Sequence, residues 1–283
     1  MTVATSNPKK LEPDWLTRIY MLSIHAIALL GLLPSNFSWS AIGVFFVLYC
    51  VTAGLGITLG FHRLIAHRSF EVPKFFEYLF AFFGTLACQG GVIQWVGLHR
   101  IHHKYSDKTA DPHDSNKGFW WSHLGWMLHQ IDAEADVPRY TKDINSDPIH
   151  RFMQDFFIPI QVALGFLLYW WGGWPFVIWG IFVRLVVVFH CTWFVNSATH
   201  KFGYRTFDSD DTSRNCWWVA LVTFGEGWHN NHHAHQYAAR HGIKWWEIDT
   251  TWMAIWLLRT LGIARNVKLI PAETIPNRSV KQV

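Results

Sequence analysis

The residues able to do chemistry in this chain are its histidines, and their spacing says what chemistry. His99-Arg100-Ile101-His102-His103 is repeated in pattern at His229-Asn230-Asn231-His232-His233, and His62 and His67 form a further group. On a helix, positions i, i+3 and i+4 share a face, so each HxxHH box is expected to turn three imidazoles the same way, towards a metal. His62 and His67 are five apart, about 140° around an α-helix. That separation predicts two metals, or a helix that ends between the pair. Asn196 and His200 are one helical turn apart and can reach one site together. His62, His67, His99, His102, His103, His200, His229, His232 and His233 make nine candidate ligands, too many for one ion and enough for a dinuclear site. Imidazole-only ligation suits Fe, Zn, Cu or Ni. Carboxylates usually orient metal-bound His from behind. Asp107, Asp111, Asp114 and Glu226 lie near the boxes, but each taken singly reads first as a turn or cap residue.

The elements that must carry these boxes belong to a membrane protein. Of 283 residues 51% are hydrophobic and only 16% charged, with 18 Trp, a balance foreign to soluble domains. No Asp, Glu, Lys or Arg occurs from Ile19 to Phe61 or from Phe156 to Val183. Each stretch accommodates two spans of about 20 residues. The expected fold is all-α and polytopic. Four transmembrane helices, about 15–33, 39–60, 156–171 and 174–195, form two hairpins turning at Pro34-Ser35-Asn36 and Gly172-Gly173. A helical cap from 61–155 and 196–283 completes a single domain. Lys9, Lys10 and Arg18 at one end and Arg63 and Arg68 at the other place both termini and the His boxes on the cytosolic side. The uncharged run Tyr78–Leu98 is read as a helix lying in the interface, because a crossing there would put His62 and His67 on the opposite side from His99. The amphipathic run Thr251–Ala264, too short to span, is expected to lie on the membrane. Arg184 within a span needs a partner or a cavity. His25, also within a span, is read as a packing residue.

Four cysteines without CxxC spacing give neither a disulfide framework nor a zinc ribbon, and the net charge of +4 is spread rather than massed as for nucleic acid. A transporter holds its ligands near the bilayer midplane, whereas these cluster where spans meet the cytosol, which favours catalysis over metal handling.

HRLIAH at His62, HRIHH at His99, NSATH at Asn196 and HNNHH at His229, with Lys104-Tyr105-Ser106-Asp107, Asp111-Pro112-His113 and Gly225-Glu226-Gly227-Trp228 around them, resemble the membrane fatty-acyl desaturases. The resemblance runs from about Gly60 to His235 and is greatest to the delta-9 branch, particularly acyl-lipid members of cyanobacterial type. It implies two iron ions held by all nine histidines, with Asn196 holding a water on one of them and zinc able to replace iron in recombinant material. It implies a reaction in which O2 and two electrons, from a donor of ferredoxin or cytochrome b5 type, convert a saturated C–C bond of an acyl chain into a cis double bond. Removing hydrogen from an unactivated methylene asks the protein for geometry and a dry channel rather than acid and base groups. Delta-9 members bend the acyl chain with a Gln, a Trp and a Thr, which fall here on Gln89, Trp95 and Thr192. Acyl-CoA-using members carry Arg-Asp and Arg-Lys pairs where this chain has Gly97-Leu98 and His129-Gln130. The missing phosphate grips favour acyl groups esterified in membrane lipid over acyl-CoA or acyl-carrier-protein thioesters; a membrane hydroxylase is the rival among His-box enzymes. Cys50 and Gly54 precede His62 by rises of about 18 and 12 Å and are expected to line the end of the acyl tunnel.

Overall fold

The computed structural model describes residues 11–276, and within them no strand forms, only isolated bridges such as Pro13 with His129. The all-helical class is as expected. Lys9, Lys10 and both chain ends lie outside the described residues. Helix α1 (Trp15–Ala28) starts at Asp14, whose carboxylate accepts from the Thr17 amide at 3.1 Å and so satisfies an otherwise orphaned donor. Helix α2 (Trp39–Tyr49), capped by Ser38, runs directly into a π-helix, Cys50–Ala66. Gly56 and Gly60 shape its packing, since a Cβ at Gly56 would lie 2.4 Å from the Gly84 amide nitrogen and one at Gly60 2.8 Å from the Phe80 carbonyl. Bare backbone at these two positions lets α3 (Lys74–Thr85) lie directly on the π-helix. The uncharged run then breaks at Leu86–Gly91, where Cys88 and Gly90 take positive φ, before α4 (Val92–Tyr105) carries the second His box.

Short helices α5 (Phe119–His123) and α6 (Ala133–Tyr140) follow. Helix α7 (Pro148–Val177) has Asp147 as its cap and Pro148 at its first position, where a missing N–H costs nothing. A π-turn, Ile178–Val183, joins it to α8 (Arg184–Ser197) and a 3-10 turn, Ala198–His200. Among the described residues three stretches are long and apolar enough to cross a membrane, Trp15–Leu32, Trp39–Ala66 and the 53-residue Pro148–His200. The last is not straight. Gly172 and Gly173 leave helical geometry, and a Cβ on Gly180 would meet Leu168 Cδ1 at 2.7 Å, whereas one continuous helix would hold those residues about 18 Å apart. Trp170, Trp171 and Trp174 are exposed around the break.

Arg184, fully buried, donates to the carbonyls of Gly180 and Leu86, both at 2.7 Å, and to Thr52 Oγ1 at 3.1 Å. It therefore ties α8 to the break after α3. The partner of His25 is His190, with the two Nε2 atoms 3.2 Å apart. The remaining helices are α9 (Trp217–Val222), α10 (His229–Ala234) with the third box, and α11 (Thr250–Thr260). Helix α11 buries Thr251 and Ile255 and exposes Met253, Trp256 and Leu257, as an interfacial helix does.

Candidate metal centre and substrate cavity

All nine histidines meet, in two groups. Nitrogens of His62, His67, His99, His103 and His232 lie within 4.8 Å of one another, and so do those of His102, His200, His229 and His233. The boxes therefore do not each face one metal, as their shared face suggested. In α4 the i and i+4 residues His99 and His103 enter the first group and His102 the second; in α10 His229 and His233 enter the second group and His232 the first. Successive residues are about 100° apart on a helix, so the paired positions share a cluster while the remaining imidazole reaches the other. Of the two arrangements expected for His62 and His67, the structure has the helix that ends between them, and both serve one cluster. The His67 amide donates to the His62 carbonyl at 3.1 Å, the i→i+5 bond of a π-helix. Five residues then nearly complete a turn, and the two rings sit 4.7 Å apart, with the helix ending between them at Ala66.

Behind the rings stand carboxylates. His62 Nδ1 lies 2.7 Å from Glu226, His102 Nδ1 3.0 Å from Asp111, His200 Nδ1 3.3 Å from Asp107 and His233 Nδ1 2.6 Å from Asp211. An imidazole that gives its Nδ1 proton to a carboxylate presents its Nε2 lone pair forwards. Those lone pairs converge: Nε2 of His67 lies 2.8 Å from that of His99, His103 2.9 Å from His232, and His200 3.2 Å from His229. Two Nε2 lone pairs turned on one another at this distance repel, and a cation between them turns that repulsion into ligation. Burial, reinforced by neighbouring imidazoles, holds His99, His103, His229 and His232 well below the ordinary histidine range, the uncharged form that ligates. The donor set thus fits two metal ions.

Asp107, Asp111 and Glu226 thus pair with imidazoles of the two clusters, Asp111 while also accepting from the Asp107 and His113 amides as a turn residue does, whereas Asp114 has the local role alone, accepting from the Asn116 amide at 3.0 Å. Asp211 escaped the sequence reading because it stands 18 residues before His229. The asparagines inside the third box hold its loop. Asn230 Oδ1 accepts from the amides of Thr206 and Phe207, and Asn231 Oδ1 from Asn215 Nδ2, both side chains being fully buried. Arg63, also fully buried, donates to Glu226 and Asp249 and so fixes the carboxylate behind His62.

Two cavities meet beside the first cluster. An apolar one of about 60 Å³ is walled on the π-helix by Ala53, Ile57, Thr58 and His62. A larger one of about 560 Å³ is lined by His99, Asn196, Tyr20, Phe157, Asp14 and Glu134 among others. Trp95, Thr192, Asn196 and His99 line both. Gln89 joins two of these, accepting from Trp95 Nε1 at 3.1 Å and donating to Thr192 Oγ1 at 2.7 Å. Cys50 is exposed and neither it nor Gly54 lines either of these two cavities. The π-helix is the reason, because its wider turn selects 53, 57, 58 and 62 rather than every fourth residue. Gly54 instead backs onto Phe224, 3.4 Å from where its Cβ would be, and Phe224 does line the small cavity.

Comparison with known proteins agrees with this site. The fatty acid desaturase family model matches residues 13–261. The chain is 64% identical to the sn-1 stearoyl-lipid 9-desaturase of Synechocystis sp., covering 99% of this chain and 88% of that protein. It is 62% identical to the sn-1 stearoyl-lipid 9-desaturase of Anabaena variabilis, covering 95% and 98%, and 44% identical to the acyl-CoA C20 Delta5-desaturase of Anemone leveillei, covering 90% and 81%. On a family model spanning most of its length, on relatives of this identity, and on nine histidines gathered in two clusters, the chain is an oxidoreductase belonging to the fatty acid desaturase family.

Proposed function

We propose that this enzyme introduces a cis double bond at the delta-9 position of saturated acyl chains esterified in membrane lipid. The observation that carries the reading is the Trp95–Gln89–Thr192 bridge, set where the two cavities meet beside His99 and Asn196. The head-group half of an acyl chain lies in the larger cavity and its methyl half in the small apolar one. The bridge bends the chain at the junction, so the position of the double bond is counted from the head-group side. His62, His67, His99, His103 and His232 would hold one iron and His102, His200, His229 and His233 the other, with Asn196 at the cavity junction placed to hold a water beside the pair. When bound, the two irons supply the oxidising power to remove hydrogen from an unactivated methylene. Per turnover, CH2–CH2, O2, two electrons and two protons become CH=CH and two waters, the electrons coming from a ferredoxin- or cytochrome b5-type donor. The protein orients the chain and, through its apolar walls, keeps bulk water from the reacting carbons. Gly54 bears on the closed end through Phe224, and Cys50 marks the same end of the π-helix.

The membrane arrangement we propose has four spans in two hairpins with the His clusters on the cytosolic side. It is supported by the 53-residue length of Pro148–His200, about 80 Å if straight against a hydrocarbon core of about 30 Å, and by the break at Gly172-Gly173. Expression in a host lacking delta-9 unsaturation, with double bonds located by mass spectrometry within separated lipid classes, tests the activity. Delta-9 monoenes on glycerolipid are expected; hydroxylated acyl chains, or monoenes confined to thioester pools, would refute it.

A further inference from the structure

The larger cavity has a one-sided charge. Among the described residues no Lys or Arg lines it, yet two carboxylates, Asp14 and Glu134, do, and of these Glu134 is exposed and Asp14 partly so, as residues at an opening to solvent are. Glu134 makes no ion pair among the described residues; burial together with the Asp14 charge raises its carboxyl above the usual range, while Gln94 works the other way. Both Asp14 oxygens are engaged by Thr17. The nearest guanidinium, Arg18, is turned to the Leu128 carbonyl at 2.9 Å and to His129 at 3.2 Å, off the cavity wall.

Two further features point to what the mouth admits. A Cβ on Gly97 would lie 2.7 Å from Val137 Cγ1, so α6 fills the space a cationic side chain would need there, and the same helix delivers Glu134. In the cavity wall the Trp126 indole N–H is buried without an acceptor, a donor suited to an uncharged ester oxygen.

We infer that Asp14 and Glu134 are specificity determinants that repel phosphate-bearing acyl carriers from the cavity mouth. The inference rests on the membrane-lipid reading above and names residues that enforce it. Discrimination of this kind comes from an element placed against the wrong ligand as much as from one that attracts the right ligand.

The test uses membranes holding the metal-loaded full chain and its reducing system, with desaturation of a stearoyl-galactolipid, which carries no phosphate, as the reaction. Stearoyl-CoA is added as competitor, and stearoyl-N-acetylcysteamine serves as a thioester without phosphate. In Glu134→Lys, and in Asp14→Asn combined with Glu134→Lys, half-inhibition by stearoyl-CoA should need at least tenfold less competitor than in the wild type. The difference should shrink as salt screens it, with no shift for the uncharged thioester. Glu134→Gln, a mild change at an exposed position, should move the same way by a smaller factor. A flat series with lipid turnover intact, or an equal shift for both competitors, overturns the inference alone. Wild-type conversion of stearoyl-CoA in preference to lipid overturns the reading beneath it.

Discussion

Asp211→Asn should strip one metal site and spare the other. Asp211 Oδ2 takes the Nδ1 proton of His233 at 2.6 Å, while Oδ1 is engaged by the Ser213 amide at 3.0 Å and the Ser209 hydroxyl at 2.9 Å. In the variant these donors keep the amide oxygen on the Oδ1 side, which leaves an NH2 facing His233 Nδ1. Two donors cannot share that contact. The imidazole must turn or shift its proton to Nε2, and either change removes a lone pair from the cluster of His102, His200, His229 and His233. Loss of such an orienting partner typically costs 10–100-fold in metal affinity, about 1.4–2.7 kcal/mol. The five-histidine cluster contains neither His233 nor any contact of Asp211 and should be untouched. Metal per chain, measured after dialysis against rising chelator, should pass through a plateau near one ion in Asp211→Asn at concentrations where the wild type still holds two. Asp114→Asn, which alters only a turn, should follow the wild type. Loss of both ions together, or retention equal to Asp114→Asn, would refute the division of labour between the clusters.

Three further outcomes follow from the same geometry. Thr192→Val removes the acceptor of the Gln89 amide at nearly constant volume, at a cost of about 1–3 kcal/mol if that N–H stays unpaired; product analysis should find slower turnover and a mixture of double-bond positions, and an unchanged single isomer would count against the bridge as the bending element. Gly54→Leu presses on Phe224, for which only a methyl has room at 3.4 Å, so chain-length profiling should show a shift to shorter substrates with the double bond unmoved; an unchanged profile at normal activity would free the closed end from this contact. Asp143 binds Arg100 and Arg68 at 2.7 and 2.9 Å, and although partial burial opposes ionisation these guanidinium groups bring its carboxyl down to about 2. A depressed folded pKa stabilises above the unfolded value of about 3.9 and is lost as pH falls towards 2, so Asp143→Asn should flatten the acid limb of the stability profile between those values; an identical limb would show that the pair contributes nothing there.

The sequence by itself determined the helical class, the stretches long and apolar enough to cross a membrane and the nine candidate ligands, because each is a local property. Uncharged apolar length fixes what can enter a bilayer, and histidine spacing fixes which imidazoles share a turn. What only the tertiary structure decided is how those ligands are shared. Which box residue crosses to which cluster depends on the relative rotation of α4 and α10, and the union of His62 with His67 depends on a π-helix that no residue pattern announces. The same phase moved the cavity wall from Cys50 and Gly54 to Ala53, Ile57 and Thr58. Asp211 and Arg63 reach the centre through folds of the chain rather than through nearness in sequence. A carboxylate 22 residues from its imidazole has no signature in a linear string; it acquires one only when Asn230 and Asn231 draw its loop over the third box.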